Sequence, residues 1–202
     1  MGYAKEAFTS PKGNMKWAFI TGEGRKDKFS IVISCHKDEP QAIEAMKAID
    51  LFWKENKPKQ AKPRPKSTGY KFEEDEETGE LTGNVYFSFS TGTSFPSGDK
   101  KVVKVFTAKK PVREVSLGTK KVGEGSLGRA IGSLAIFEYE GSFGTTLYLD
   151  AISLSKFVEY VGGVDADDIE EDEEAEDIGL DMAVVDANEV QEESAPEDVP
   201  RT

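Results

Sequence analysis

Apolar and polar residues alternate in several short runs along this chain, and the alternation predicts strands. In residues 15–20 Trp17 and Phe19 share a side, and in residues 28–35 Phe29, Ile31, Ile33 and Cys35 do. A period of two with β-branched residues marks a half-buried strand. Residues 84–90 repeat it, with Val85, Phe87 and Phe89 on one face and Tyr86 on the other. Further strands are expected at 102–107, 131–140 and 145–154, separated by glycine-rich turns. Another begins at Tyr70 and Phe72 and breaks at the acidic turn from Glu73 to Gly83. One stretch has a different period. Ala42, Ile43, Met46, Ile49, Leu51, Phe52 and Trp53 recur at helical spacing, which predicts a helix from near Pro40, capped by Asp38, to near Asn56. Residues 57–68 are basic and proline-rich and read as an exposed arm, because proline removes donors and favours extended backbone. Five or more strands with one substantial helix describe a mainly β small barrel. A βαβ sheet would need a helix between most strands.

Charge divides the chain. The formal net charge is −12, yet residues 164–202 alone hold eight Asp and nine Glu against Arg201, a sum of −16. Residues 1–163 hold 25 Lys and Arg against 21 Asp and Glu, which leaves +4. A mildly basic body (1–163) therefore carries an acidic tail (164–202), and the body suits a polyanion. About 160 residues make one ordinary domain. The tail has no sustained apolar period and cannot repay ordering entropy, so it is expected to be disordered. Its one apolar patch, Ile178, Leu180, Met182, Val184 and Val185, either folds against a partner or stays a solvated segment.

Other classes find little support. Cys35 is the one cysteine, so no intrachain disulfide forms, which suits a reducing cytoplasm. No run of about eighteen apolar residues exists, so no membrane span is expected. His36 is the one histidine and adjoins Cys35. Neighbours on a strand point to opposite faces, so the two make neither a nucleophile–base pair nor a zinc site. No catalytic residue, metal or cofactor is expected. Gly123 to Gly128 matches GxGxxG but runs quickly into a strand-like segment and reads as a turn. Glu73 to Glu77 lacks the spacing of a calcium loop and reads as a solvated turn. A two-metal nuclease needs clustered carboxylates, whereas Asp99, Glu138 and Asp150 are scattered.

The more telling constellation is rings interleaved with basic residues. Single strands are held by a positive groove and by aromatic faces on which bases stack, each worth about 1–3 kcal/mol. Trp17, Tyr70, Tyr86, Tyr139 and Tyr148 lie among Lys16, Lys71, Lys104, Lys109, Lys110, Arg113 and Arg129. Strand parity turns Tyr86, Tyr148 and the pair Phe137 and Tyr139 away from the core face. Such rings either serve a binding surface or close a second small core under the helix or the arm. A different class of reading is a chaperone or scaffold whose acidic tail binds basic proteins.

The chain resembles the single-stranded DNA-binding proteins of T-seven-like podophages over most of its body. The opening Ala7-Phe-Thr-Ser-Pro-Lys-Gly13 and the strand from Trp17 to Ile20 resemble that family's first strand. Phe29 to Asp38, leading into the 40–56 helix, is similar to its second strand and helix. Asn84 to Phe89 resembles a central strand, and Leu134 to Tyr139 followed by Thr146 to Leu154 resembles the closing strands. The acidic tail completes the order of elements. The resemblance implies an OB-fold barrel of five strands that coats single-stranded DNA in phage replication, recombination and repair, in the cytoplasm of the infected host. It implies a tail that forms a homodimer or docks on the phage DNA polymerase and helicase/primase. Carried over by position, Lys5 and Tyr139 correspond to DNA-contacting positions, with the basic residues near 109–129. The family tail ends in an aromatic residue. This one ends at Thr202 without one, which leaves the Ile178–Val185 patch as the substitute.

Overall fold

A computed structural model describes residues 3–160 apart from 23, 24, 64, 76 and 96. The acidic tail and its apolar patch lie outside the described residues. The elements run β1 (Lys5–Thr9), β2 (Gly13–Phe19), β3 (Lys28–His36), α1 (Pro40–Asn56), β4 (Tyr70–Glu74), β5 (Leu81–Gly92), β6 (Lys104–Thr107), β7 (Leu127–Tyr139) and β8 (Ser142–Lys156). Five of them close on themselves in the order β2-β3-β5-β8-β7 and back to β2. Every seam is antiparallel except β5–β8, which is parallel at Phe89↔Leu147 and Ser90↔Tyr148. This is the closed five-stranded barrel with one helix that defines an OB-type fold. Strands β1, β4 and β6 add to the outer edges of β7, β5 and β8.

The barrel closes because alternation on each strand delivers one apolar row inward. Ile31 and Ile33 of β3, Val85 and Phe87 of β5, Leu134 of β7, and Leu147 and Leu149 of β8 are completely buried. Burial of each such side chain contributes about 1.5–3 kcal/mol. Small residues on β7, among them Gly128, Ala130 and Gly132, let that strand lie close to its partners along its whole length. These residues carry no alternating signal, which is why β7 begins four residues before the expected 131. Strand β1 left no clear pattern either, because Phe8 is its one buried residue.

Helix α1 runs over the expected span and buries Ala42, Ala45, Ile49, Phe52 and Trp53. Pro40 sits in its first turn, where a missing N–H costs nothing. The expected cap is wrong. Glu39, not Asp38, holds the N-cap position, and it makes no side-chain capping bond. Asp38 is committed to the preceding turn, where its N–H donates to Nδ1 of His36 (3.3 Å) and its carboxylate accepts from Lys37 (3.3 Å). The 57–68 arm is also more constrained than expected. Trp53 Nε1–H donates to the Pro63 carbonyl (3.0 Å), Lys66 N–H to the Phe143 carbonyl (2.8 Å), and Thr145 N–H to the Ser67 carbonyl (2.9 Å). These bonds strap it to the barrel. Cys35 points inward and His36 outward. Burial pushes the Cys35 thiol up to about 11, assisted by the Glu39 carboxylate. Among the described residues no helix is long and apolar enough to cross a membrane.

Candidate nucleic-acid interface

Pairing register assembles a face from residues far apart in sequence. Directly opposed residues on neighbouring strands share a side of the sheet. One row runs Lys16↔Val32↔Ser88, from β2 across β3 to β5. The next runs Ser30↔Ser90↔Tyr148↔Ser133, from β3 across β5 and β8 to β7. The inward rows are Ile31 with Phe89 and Leu147, so these two rows must face outward. The middle of the face is serine. Its small side chains leave a concavity of about 480 Å³ lined by Lys28, Lys71, Ser88, Ser90, Thr146 and Tyr148, among others.

Exposed rings stand at the margin of this floor, each with a lysine. Tyr148 is 38% exposed, and Lys5 of β1 places its Nζ 5.4 Å from the ring centroid. Tyr139, at the end of β7, is 58% exposed, with Lys66 Nζ at 5.1 Å. An ammonium over an exposed ring gains only about 0.5–1 kcal/mol, so it moves aside for a better occupant. What remains is a stackable face beside a positive charge, which matches a base and its phosphate. Lys66 belongs to the strapped arm, so the proline-rich segment serves the face directly. Lys28 and Lys66 were not among the sequence-expected binding residues; the basic run 57–68 was the available signal for Lys66.

The opposite margin is the Trp17–Tyr86 corner. Parity alone would put Trp17 inward with Met15, which is 1% exposed. The β2–β3 register shifts between Lys16 and Phe19, and Trp17 takes a φ of +48°. That bulge throws its ring into solvent, 59% exposed and edge-on to Tyr86 at 5.8 Å. A bulky residue in left-handed backbone is costly and marks sites where strain serves function. Below it, Lys16 Nζ lies 5.2 Å from the centroid of the Tyr86 ring and 3.2 Å from the Glu73 carboxylate. Tyr86 Oη–H also donates to Glu73, as do Thr82 (2.8 Å) and Asn84 (2.6 Å). Burial works against the Glu73 carboxylate, but bonds from Asn84, Thr82 and Lys16 outweigh it and hold its pKa below the ordinary value. A lowered folded-state pKa adds stability above the unfolded value, and that stability is lost as pH falls through the folded one. Glu73→Gln is therefore expected to be less stable than the parent near neutral pH. Chemical denaturation curves of the two should converge as pH falls below the ordinary carboxylate range; a gap independent of pH would show that the charge of Glu73 contributes nothing.

The remaining sequence-expected residues fall elsewhere. Tyr70, in β4, turns its ring against Phe87 (6.2 Å) and donates its hydroxyl to Asp50 of α1 (3.1 Å). Burial, with the Asp50 carboxylate beside it, pushes its pKa up to about 12. It forms a wall of the concavity more than a free stacking face. Arg129 donates to the Ser10 carbonyl (2.9 Å) and to Gln41 (2.8 Å), tying β7 to α1. Lys104 faces Glu114 (3.9 Å) on β6, whose partners are Ala151 to Leu154, past the Tyr148 row. Lys109, Lys110 and Arg113 occupy the exposed segment after β6, and none of the contacts described here joins them to the serine floor. Gly123 to Gly128 forms a turn that enters β7, with no helix following.

Barrel, floor and ring margins together describe an OB-type barrel with one open, ring-bordered face. No protein-family model and no curated protein matches the sequence. Solved structures are similar in fold, two phage proteins among them. One is gp2.5, a single-stranded DNA-binding protein encoded by bacteriophage T7, with a TM-score of 0.53 and 20% identity over 86% of this chain and 100% of that one. The other is a single-stranded DNA-binding protein from bacteriophage Enc34, with a TM-score of 0.54 and 18% identity over 80% of this chain and 88% of that one. At these identities the likeness establishes a shared fold.

Proposed function

We propose that this chain binds single-stranded DNA with little sequence preference and coats it during phage replication, recombination and repair. The observation that carries this is the serine-floored face bordered by Tyr148 with Lys5, Tyr139 with Lys66, and Trp17 with Tyr86. The floor admits the backbone, the rings take bases, and the lysines take phosphates. The two phage proteins similar in fold are single-stranded DNA-binding proteins, which supports the same reading. The one cysteine and the one histidine face opposite ways and so form no nucleophile–base pair.

The body and tail act as separate units in this proposal: residues 1–163 bind DNA and residues 164–202 compete for the same cationic face when DNA is absent. A flexible segment of this length spans on the order of 35 Å root-mean-square, against a body radius of gyration of about 15 Å. Its local concentration is then of millimolar order. The Ile178–Val185 patch supplies docking for the polymerase and helicase/primase or for a second copy.

Titration of full-length and 164–202-deleted protein with labelled single and double strands across salt tests both parts. Affinity for single strands should fall linearly on a log–log salt plot, with a slope of about −0.7 per neutralised phosphate. Deletion should tighten binding most at low salt, because exposed charges are screened over about 10 Å at 0.1 M. Equal affinity of the two proteins at low salt would remove the competition. Absence of single-strand binding, with basic proteins captured by the tail instead, would replace the DNA reading by the chaperone one.

A further inference from the structure

A second concavity lies on the far side of Trp17, away from the serine floor. It is a groove of about 860 Å³ between the β2 bulge and the loop before β7, lined by Trp17, Phe19, Thr119, Lys121, Glu124 and Tyr160, among others. That volume falls within the usual range for small-ligand sites. Its construction is specific. The Tyr160 N–H donates to the Lys121 carbonyl (2.9 Å) and the Gly123 N–H to the Val158 carbonyl (2.8 Å), which pins the segment after β8 along the loop. Gly123 is required there, since a Cβ on it would lie 2.8 Å from the Tyr160 nitrogen. The result is a tyrosine ring 56% exposed, in a groove that also holds the 59% exposed Trp17. Exposed rings of this size are not held out by packing.

We propose that this groove is a second base-holding site for the same single strand, one that takes at least one nucleotide on Trp17 and Tyr160. The inference rests on the DNA reading of the serine-floored face and extends it around the barrel. Three observations select a nucleotide as the occupant. Trp17 contacts Tyr86 edge-on, and Tyr86 lies on the same outward side of β5 as Ser88 and Ser90, so one pair of rings links the groove to the side of the sheet that carries the serine floor. The lining is cationic at Lys121, and Arg25, outside the lining, places its guanidinium 5.3 Å from the centroid of Phe19, which does line the groove. Glu124, the acid of the lining, directs a phosphate toward those two residues and away from itself. A ring-lined groove with a cationic rim suits a base and its phosphate, whereas an apolar peptide would leave the lysine and arginine unmatched.

The test uses full-length protein and an oligothymidylate of about 16 nucleotides, the upper end of the OB-fold footprint. Trp53 is 6% exposed and its Nε1–H is occupied by the Pro63 carbonyl, so quenching of tryptophan fluorescence by the strand reports on Trp17. The strand should quench that fluorescence. Tyr160→Ala should weaken binding about fivefold or more, the lower bound for loss of one stacked base, and Tyr160→Phe should restore it. Lys121→Gln, a surface change with no packing role, should weaken binding and lower the salt slope by about 0.7. If the strand leaves Trp17 fluorescence unchanged and Tyr160→Ala binds as the parent does, while Tyr148→Ala still weakens binding, the groove is not part of the DNA path. If Tyr148→Ala is also without effect, the parent reading of the serine-floored face fails as well.

Discussion

Replacing Tyr139 and Tyr148 together by alanine is expected to weaken single-strand binding about thirtyfold or more while the barrel stays folded. Each stacked base contributes about 1–3 kcal/mol, so two rings contribute at least about 2 kcal/mol, and 1.4 kcal/mol is a factor of ten. The rings are 58% and 38% exposed, and neither belongs to the buried core. Surface substitutions of this kind usually change stability by no more than about 0.5 kcal/mol. The thermal midpoint should therefore stay close to that of the parent. Tyr139→Phe with Tyr148→Phe should keep most of the affinity, because stacking uses the ring face and not the hydroxyl. Fluorescence anisotropy with a labelled strand reads the first quantity and calorimetry the second. Unfolding of the double alanine variant would mean that the rings are structural. Parent-like affinity would mean that bases stack elsewhere.

Gly132→Ala should be the most damaging single methyl in the barrel. Gly132 lies on β7 where its register with β8 shifts, and a Cβ there would fall 1.8 Å from the Tyr148 carbonyl oxygen. No side-chain rotation relieves a clash with backbone. Strands β7 and β8 must separate locally, which breaks ladder bonds and disturbs Leu147 and Leu149 beneath. A cost of about 3 kcal/mol or more is expected, at the upper end for overpacking. For a domain of this size that lowers the melting temperature by roughly 6–12 °C. Because the displaced segment carries Tyr148, affinity for single strands should fall even at temperatures where the variant is folded. A melting temperature within about 2 °C of the parent would show that the two strands are not so closely apposed.

Much of the barrel was legible from local pattern. The runs at 28–35 and 84–90 carry an apolar residue at every second position, and each became a barrel strand with that side inward; in 145–154 Leu147 and Leu149 point inward as expected, but a register shift at Asp150 moves the buried side to Ile152 and Leu154. The helix at 40–56 followed from the 3.6-residue recurrence from Ala42 to Trp53. Parity also turned Tyr86, Tyr139 and Tyr148 outward, since the core side was already taken. One thing was misread locally: Asp38 has the chemistry of a cap, but Lys37 and His36 engage it first. The described residues of the 57–68 arm are exposed or half-exposed, as expected, and what the composition did not reveal is that its backbone donors and acceptors find partners on Trp53, Phe143 and Thr145.

The sequence by itself determined which residues of the alternating runs at 28–35 and 84–90 face the core, because burial there depends on spacing along one strand and needs no knowledge of neighbours. It also determined the separation of charge between residues 1–163 and 164–202. The tertiary structure alone decided which outward residues meet. Ser30, Ser90, Tyr148 and Ser133 stand in one row because hydrogen-bond register aligns four strands, and register is a property of pairs. Trp17 reached the surface through a bulge that no alternating pattern encodes. Lys5 and Lys66 found their rings across more than 70 residues of chain, distances that only barrel closure removes.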